Sequence, residues 1–231
     1  MNKPRLLFVA LTIIMFLWHH TEASYSGVLL KHSKLTSDLA LRSPVLKEIV
    51  LLPTQTYDED EVRAIVERLD HLPTNLLERV NSKEIKVRLF QEQLTDFPST
   101  DHLKGVTPRG YTSKEKTWDQ VPGIGGSRLV LVKIGHSDKG MGHGSENLEL
   151  HELAHSIDRY VLNDLYLDME FLNIWKREST LLFPNQAYFT QYQEEYFAET
   201  FTMFYLNHET RKLLKEKAPA TYQFFKEINS I

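Results

Sequence analysis

One stretch limits what this chain can become more than any other: Asn147-Leu148-Glu149-Leu150-His151-Glu152-Leu153-Ala154-His155-Ser156-Ile157-Asp158-Arg159-Tyr160. It contains His-Glu-x-x-His, and residues four apart on an α-helix lie on one face, about a turn from each other. His151 and His155 can therefore aim two imidazoles at a single Zn²⁺, with Glu152 beside the metal's open position as a base. Leu150, Ala154, Ile157 and Val161 supply the apolar stripe such a helix needs. The same stripe fits a plain core helix whose histidines bond to neighbours. With 10 His in 231 residues, the pattern arises by chance in roughly four of a hundred such chains. It becomes a metal site only if a third ligand exists elsewhere.

The absence of cysteine excludes a disulfide scaffold and thiolate ligands, so a zinc must be held by His, Asp or Glu. A formal net charge of −4 without a basic run points away from nucleic acid. Lys3 and Arg5 precede an apolar run from Leu6 to Trp18 broken only by Thr12, and Thr21-Glu22-Ala23 offers a small-x-small cleavage site. Residues 1–23 thus read as a signal peptide, with the mature chain starting near Ser24, secreted and without stable membrane association. An uncleaved anchor is the alternative, against which the run is short for a membrane span. The remaining residues 24–231 suit one well-cored domain, with a small N-terminal lobe at about 24–100.

Asp58-Glu59-Asp60-Glu61 predicts a helix start, with Asp58 as cap and Val62, Ile65, Val66 and Leu69 inward. A short helix follows Pro73. Ile85, Val87 and Leu89 alternate with Lys86, Arg88 and Phe90, the pattern of a half-buried strand. Residues 91–127 are dense in turn formers, including Thr107-Pro108-Arg109-Gly110, and Tyr111 and Trp118 argue against disorder there. Leu129–Ile134 is a strand rich in β-branched residues. A glycine-rich loop then carries His136 and His143, read as loop polar groups, and Ser145 or Asn147 caps the His151 helix. Helical patterns follow at 167–177, from Gln193 to about Tyr205, and in two pieces split at Pro219, with a linker expected over 180–191.

Past His155, Asp158 and Val161 stand where an extended zinc motif places Gly and a third His, so the third ligand lies on another segment. In the helix after Tyr188, Phe197, Phe201, Phe204 and Tyr205 form one face while Glu195, Glu199 and Thr202 form another. Carboxylates beside so many aromatics are costly unless a metal takes up their charge. The pattern fits a His₂Glu zinc site, one carboxylate binding the metal and the other orienting a histidine. A solvated acidic face is the alternative.

Residues His151 to Tyr160, Tyr188 and Glu194 to Phe201 resemble the catalytic domain of anthrax lethal factor and its relatives, the secreted bacterial Pro-Pro endopeptidases. The likeness extends to Lys116-Thr117-Trp118-Asp119-Gln120-Val121-Pro122-Gly123, to Gly142-His143-Gly144-Ser145 and to Asn147-Leu148-Glu149-Leu150. It covers most of residues 105–228 and implies that these form the catalytic part of an α+β, zincin-like (gluzincin) metalloprotease domain: a small mixed sheet packed on the active-site helix, with a helical C-terminal part. By position it implies His151, His155 and Glu195 as ligands of one Zn²⁺ per chain and Glu152 as general base. It further implies Tyr188 as catalytic tyrosine, Glu199 as the carboxylate behind a histidine, and Lys116, Trp118 and Glu194 as substrate contacts. The expected substrate is a proline-rich peptide or cell-surface protein cut at Pro-Pro bonds. Trp118 can wall a rigid polyproline-like chain, or can be an ordinary core tryptophan. A docking module that has lost catalysis is disfavoured by the intact zinc positions. A toxin protease acting inside host cells is disfavoured by the lack of room for a translocation domain.

Overall fold

The computed structural model describes residues 26–110 and 116–228, so the signal-peptide reading of 1–23 and the argument from Tyr111 lie outside the described residues. Among them, five strands form one mixed sheet: β1 (Val28–Leu29), β2 (Val50–Leu52), β3 (Lys86–Phe90), β4 (Gly123–Ile124) and β5 (Leu129–Lys133). Their spatial order is β1-β2-β3-β5-β4, with β2, β3 and β5 parallel and the two edges antiparallel to their neighbours. Between strands run α1 (Leu46–Ile49), α2 (Glu59–Asp70) and α3 (Thr74–Ser82). After β5 come α4 (Leu148–Tyr160), α5 (Met169–Leu182), α6 (Ala187–Gln191), α7 (Gln193–Leu206), α8 (His208–Lys217) and α9 (Pro219–Ile228). The α+β class, the mixed sheet against α4 and the helical C-terminal part all match expectation. No helix among the described residues is long and apolar enough to cross a membrane.

Local chemistry sets the helix starts. The Asp58 carboxylate accepts from the amides of Asp60 and Glu61 at 3.0 and 3.2 Å, which satisfies two orphan donors of α2. Asn147, rather than Ser145, caps α4: its Oδ1 accepts from Leu150 N at 3.1 Å, and its Nδ2 donates to Ser137 O at 3.3 Å. One contiguous core draws on every layer, from Leu30 to Ile228.

Two local expectations are corrected and one alternative is excluded. β3 is buried on both faces, not half-buried: Val87 and Leu89 enter the main core, while Phe90 joins Leu94, Phe97 and Leu131 in a second cluster. The loop segment after β3 folds over the sheet and excludes water from the face that alternation assigns to solvent. Arg88 is enclosed there with its guanidinium 4.6 Å from the Phe97 ring centroid. Second, α5 runs to Leu182, where a linker was expected, and buries Phe171, Ile174 and Glu178. Phe171 packs on Tyr196, Phe197 and Phe224. Residues 187–191 within the expected linker form α6. Third, α7 is buried almost all round: Glu195 is 6% exposed, Glu199 1% and Thr202 0%. An acidic face in solvent is thereby excluded.

Candidate metal centre

The polar stripe of α7 is buried because it faces α4. His151 Nε2 lies 3.3 Å from Glu195 Oε2 and 3.3 Å from His155 Nε2, and His155 Nε2 lies 3.5 Å from Glu195 Oε2. Three potential ligand atoms therefore form a nearly equilateral triangle, the one such cluster of metal-capable side chains among the described residues. Behind His151, Nδ1 meets Glu199 Oε2 at 3.1 Å, while Glu199 Oε1 accepts the Glu146 amide at 3.0 Å. A neutral ring that donates here from Nδ1 has its lone pair at Nε2, the nitrogen facing the cluster. His143 spends both ring nitrogens on its own loop, Nδ1 on Ser145 Oγ (2.7 Å) and Nε2 on the His136 carbonyl (2.8 Å).

Glu152, Glu195 and Glu199 surround two imidazoles, and the site draws positive charge. Burial alone lowers the His151 pKa, but hydrogen bonds to Glu195 and Glu199 outweigh it and push the group up. Burial alone raises Glu195, yet His151 and His155 hold its carboxyl far below the usual range. At Glu152 burial wins over the two histidines and the pKa is raised. Its backbone is clasped by the β4 turn, since a Cβ at Gly125 would stand 1.9 Å from Glu152 O. Only glycine allows that approach, and the Gly125 amide bonds the Glu152 carboxylate.

Tyr188, at the start of α6, is half-buried and hydrogen-bonded to Glu195, and burial first, then the Glu195 charge, drives its pKa well up. Its phenol therefore stays protonated and remains a donor. Gly110 (φ +88°) packs on its ring, where a Cβ would lie 2.6 Å from Cε2. Arg109, which carries no signal in the sequence beyond membership of a turn, bridges the same elements. Its Nη2 reaches Glu194 Oε1 at 2.7 Å and Glu195 Oε1 at 3.2 Å, and its guanidinium lies 4.1 Å from the Tyr192 ring centroid. The carboxylate of Glu195 is thus divided, one oxygen toward the histidines and one toward Arg109. Trp118 lies half-buried on the second core, with Lys116 exposed two residues before it. Asp119 ties that loop at its base by accepting from Thr95 Oγ1 (2.6 Å), Thr117 Oγ1 (2.7 Å) and the Gly105 amide (2.8 Å).

Asp158, one turn beyond His155, gives a pH-dependent readout. It is 8% exposed, accepts the Leu165 amide at 2.8 Å, and burial pushes its pKa up to about 6. A carboxyl raised above its ordinary value costs stability once ionised, so the cost is present above pH 6 and fades as pH falls toward 4. Asp158→Asn keeps an acceptor for Leu165 without the charge. In chelator-treated protein it is expected to raise stability at pH 7 by up to about 3 kcal/mol and to match the parent near pH 4. Denaturant melts at both pH values check this; a pH-independent difference would show that the Asp158 charge is not the cause.

Comparison with known proteins now adds to the geometry. The family described as "Anthrax toxin lethal factor, N- and C-terminal domain" matches residues 39–228. The chain is 40% identical over 189 residues to the Pro-Pro endopeptidase of Paenibacillus alvei, covering 82% of this chain and 87% of that protein. It is 43% identical over 183 residues to the Pro-Pro endopeptidase of Clostridioides difficile strain 630, covering 79% of this chain and 82% of that protein. The solved structure of the Pro-Pro endopeptidase PPEP-2 from Paenibacillus alvei superposes with a TM-score of 0.75 at 40% identity, over 80% of this chain and 99% of that one.

Proposed function

Because the chain belongs to the family of the anthrax toxin lethal factor domain, and is similar to Pro-Pro endopeptidases along most of its length, we propose that it is a zincin-like zinc metalloendopeptidase cutting Pro-Pro bonds in proline-rich peptides or cell-surface proteins. The observation that carries this is the triangle of His151, His155 and Glu195, with edges of 3.3, 3.3 and 3.5 Å. Ligands bound tetrahedrally to zinc at about 2.0–2.1 Å stand about 3.3 Å from each other, so the donor set and its spacing both fit Zn²⁺. Two imidazole nitrogens and a carboxylate oxygen also match the ligand types zinc prefers in catalytic sites.

Bound there by His151, His155 and Glu195, zinc supplies Lewis acidity toward a carbonyl and lowers the pKa of water. The chain's own residues do the rest. Glu199 holds His151 in the tautomer that binds through Nε2. Glu152, raised in pKa by burial, accepts a proton from the attacking water and returns it to the departing nitrogen. Tyr188, protonated at all working pH values, donates to the oxyanion that develops on the scissile carbonyl. The nitrogen of a Pro-Pro bond has no N–H to recognise, so specificity must come from shape. Trp118, half-exposed on a loop braced by Asp119, gives a rigid apolar wall for a polyproline-like segment, and Lys116 and Glu194 are the further substrate contacts of this proposal.

Secretion after cleavage near Ser24 belongs to the same proposal, as does a division into an N-terminal lobe and a catalytic part; N-terminal sequencing of exported protein reads the cleavage. The decisive experiment measures zinc content and screens a peptide library with and without a Pro-Pro centre. About one zinc per chain and cleavage confined to the Pro-Pro set are expected. Equal turnover of both sets would refute the bond specificity, and an active but zinc-free protein would refute the metal.

A further inference from the structure

The C-terminal end of α4 carries a feature that bond cleavage itself does not use. Two guanidiniums flank one tyrosine: Arg128 Cζ lies 4.7 Å from the Tyr160 ring centroid and Arg159 Cζ lies 5.7 Å from it. Both arginines are exposed. Their hydrogen bonds go to backbone carbonyls, Arg128 Nε to Lys83 O at 3.0 Å and Arg159 Nη1 to Gly126 O at 3.1 Å. Among the described residues neither forms an ion pair. In a chain of formal net charge −4, this is a local excess of positive charge.

Its place relative to the metal centre is fixed. The turn between β4 and β5 is pinned to α4: the Gly126 amide donates to Ser156 Oγ at 3.0 Å, and Ser156 Oγ donates to Ser127 O at 2.7 Å. A Cβ at Gly126 (φ +77°) would sit 3.8 Å from His155 Cβ. Arg159 stands one helical turn past His155, about 6 Å along the axis. An extended peptide advances about 3.3 Å per residue, so two to three residues are enough to span that separation.

We propose that Arg128, Tyr160 and Arg159 form a subsite for an acidic side chain, Asp or Glu, carried by the substrate about two to three residues from the scissile bond. The proposal rests on the peptidase reading above. Each guanidinium offers a planar fork that matches a carboxylate. The Tyr160 ring holds both cations in place through cation–π contact. A basic residue at the same substrate position meets two like charges and is disfavoured.

The test uses peptides with one Pro-Pro centre and Asp, Asn or Lys placed two or three residues away on either flank. On one flank, kcat/KM is expected to run Asp over Asn by about fivefold and Asn over Lys by a similar factor, chiefly through KM. Raising ionic strength should shrink the Asp advantage. The double variant Arg128→Glu/Arg159→Glu is expected to reverse the order, read as the Asp/Lys ratio within each protein so that any general loss cancels. If that variant does not fold, Arg128→Gln and Arg159→Gln singly should each reduce the ratio. Equal turnover of all three peptides on both flanks, or a preference untouched by the substitutions, overturns the subsite alone. Failure to cut any Pro-Pro peptide overturns the peptidase proposal and this one with it.

Discussion

Glu152→Gln is expected to keep about one zinc per chain and to lose roughly 10²–10⁴-fold in kcat/KM, the range for removing a positioned general base. The substitution preserves volume and the acceptor oxygen that meets the Gly125 amide, so the clasp between the β4 turn and α4 survives. It leaves the His151, His155 and Glu195 triangle intact, because none of those three donor atoms depends on Glu152. What disappears is a carboxylate able to take a proton. Metal analysis, a thermal melt and peptide kinetics on the same preparation separate the possibilities. Cleavage near the parental rate would remove Glu152 from the mechanism, and zinc loss would make it a metal-site residue instead.

The second large effect lies away from the chemistry. Glu178 on α5 is 6% exposed and accepts three hydrogen bonds from the first turn of α9: the Ala220 amide (2.9 Å), the Thr221 amide (2.9 Å) and Thr221 Oγ1 (2.8 Å). Tyr196 of α7 completes the arrangement through its hydroxyl, 2.7 Å from Thr221 Oγ1. A carboxylate at a helix N-terminus satisfies amides that the helix leaves unpaired and faces the favourable end of its dipole. Glu178→Ala strands those buried donors, and the expected cost is about 3–5 kcal/mol, a fall in Tm of roughly 10 °C for a chain of this size. Glu178→Gln retains a neutral acceptor and is expected to fall between. Because α7 also carries Glu195 and Glu199, zinc content measured well below Tm should remain near that of the parent. A Tm change within a degree or two for Glu178→Ala would mean that water replaces the carboxylate without loss.

How much of this was legible in the sequence varies by element. Local pattern served well wherever the chemistry is local. The Asp58 cap, the α4 helix with its apolar stripe and the break at Pro219 all follow from neighbouring residues, and the structure has them. Pattern failed where a distant segment covers a face. Alternation in β3 could not show that Leu94, Phe97 and Trp118 would roof its second side. Nor could spacing in α5 reveal that Phe171 would pack on rings of α7 and α9.

The candidate site divides in the same way. Four-residue spacing put His151 and His155 on one face, the carboxylate stripe offered Glu195 and Glu199, and the family resemblance nominated Tyr188. That the two helices meet with a triangle of zinc-sized edges was decided by tertiary packing, since nothing local sets the distance between α4 and α7. Arg109 entered only through the fold, because a single arginine in a turn has no periodicity to betray its partner. The arginine pair on Tyr160 is of the same kind: Arg159 and Tyr160 are adjacent in the chain, but Arg128 arrives from the turn between β4 and β5. Residue type and short spacing name the groups that could bind a metal, cap a helix or make a turn, and these were readable along the chain. The tertiary structure alone decided which of them face each other, because burial and charge pairing depend on contacts between segments far apart in the chain.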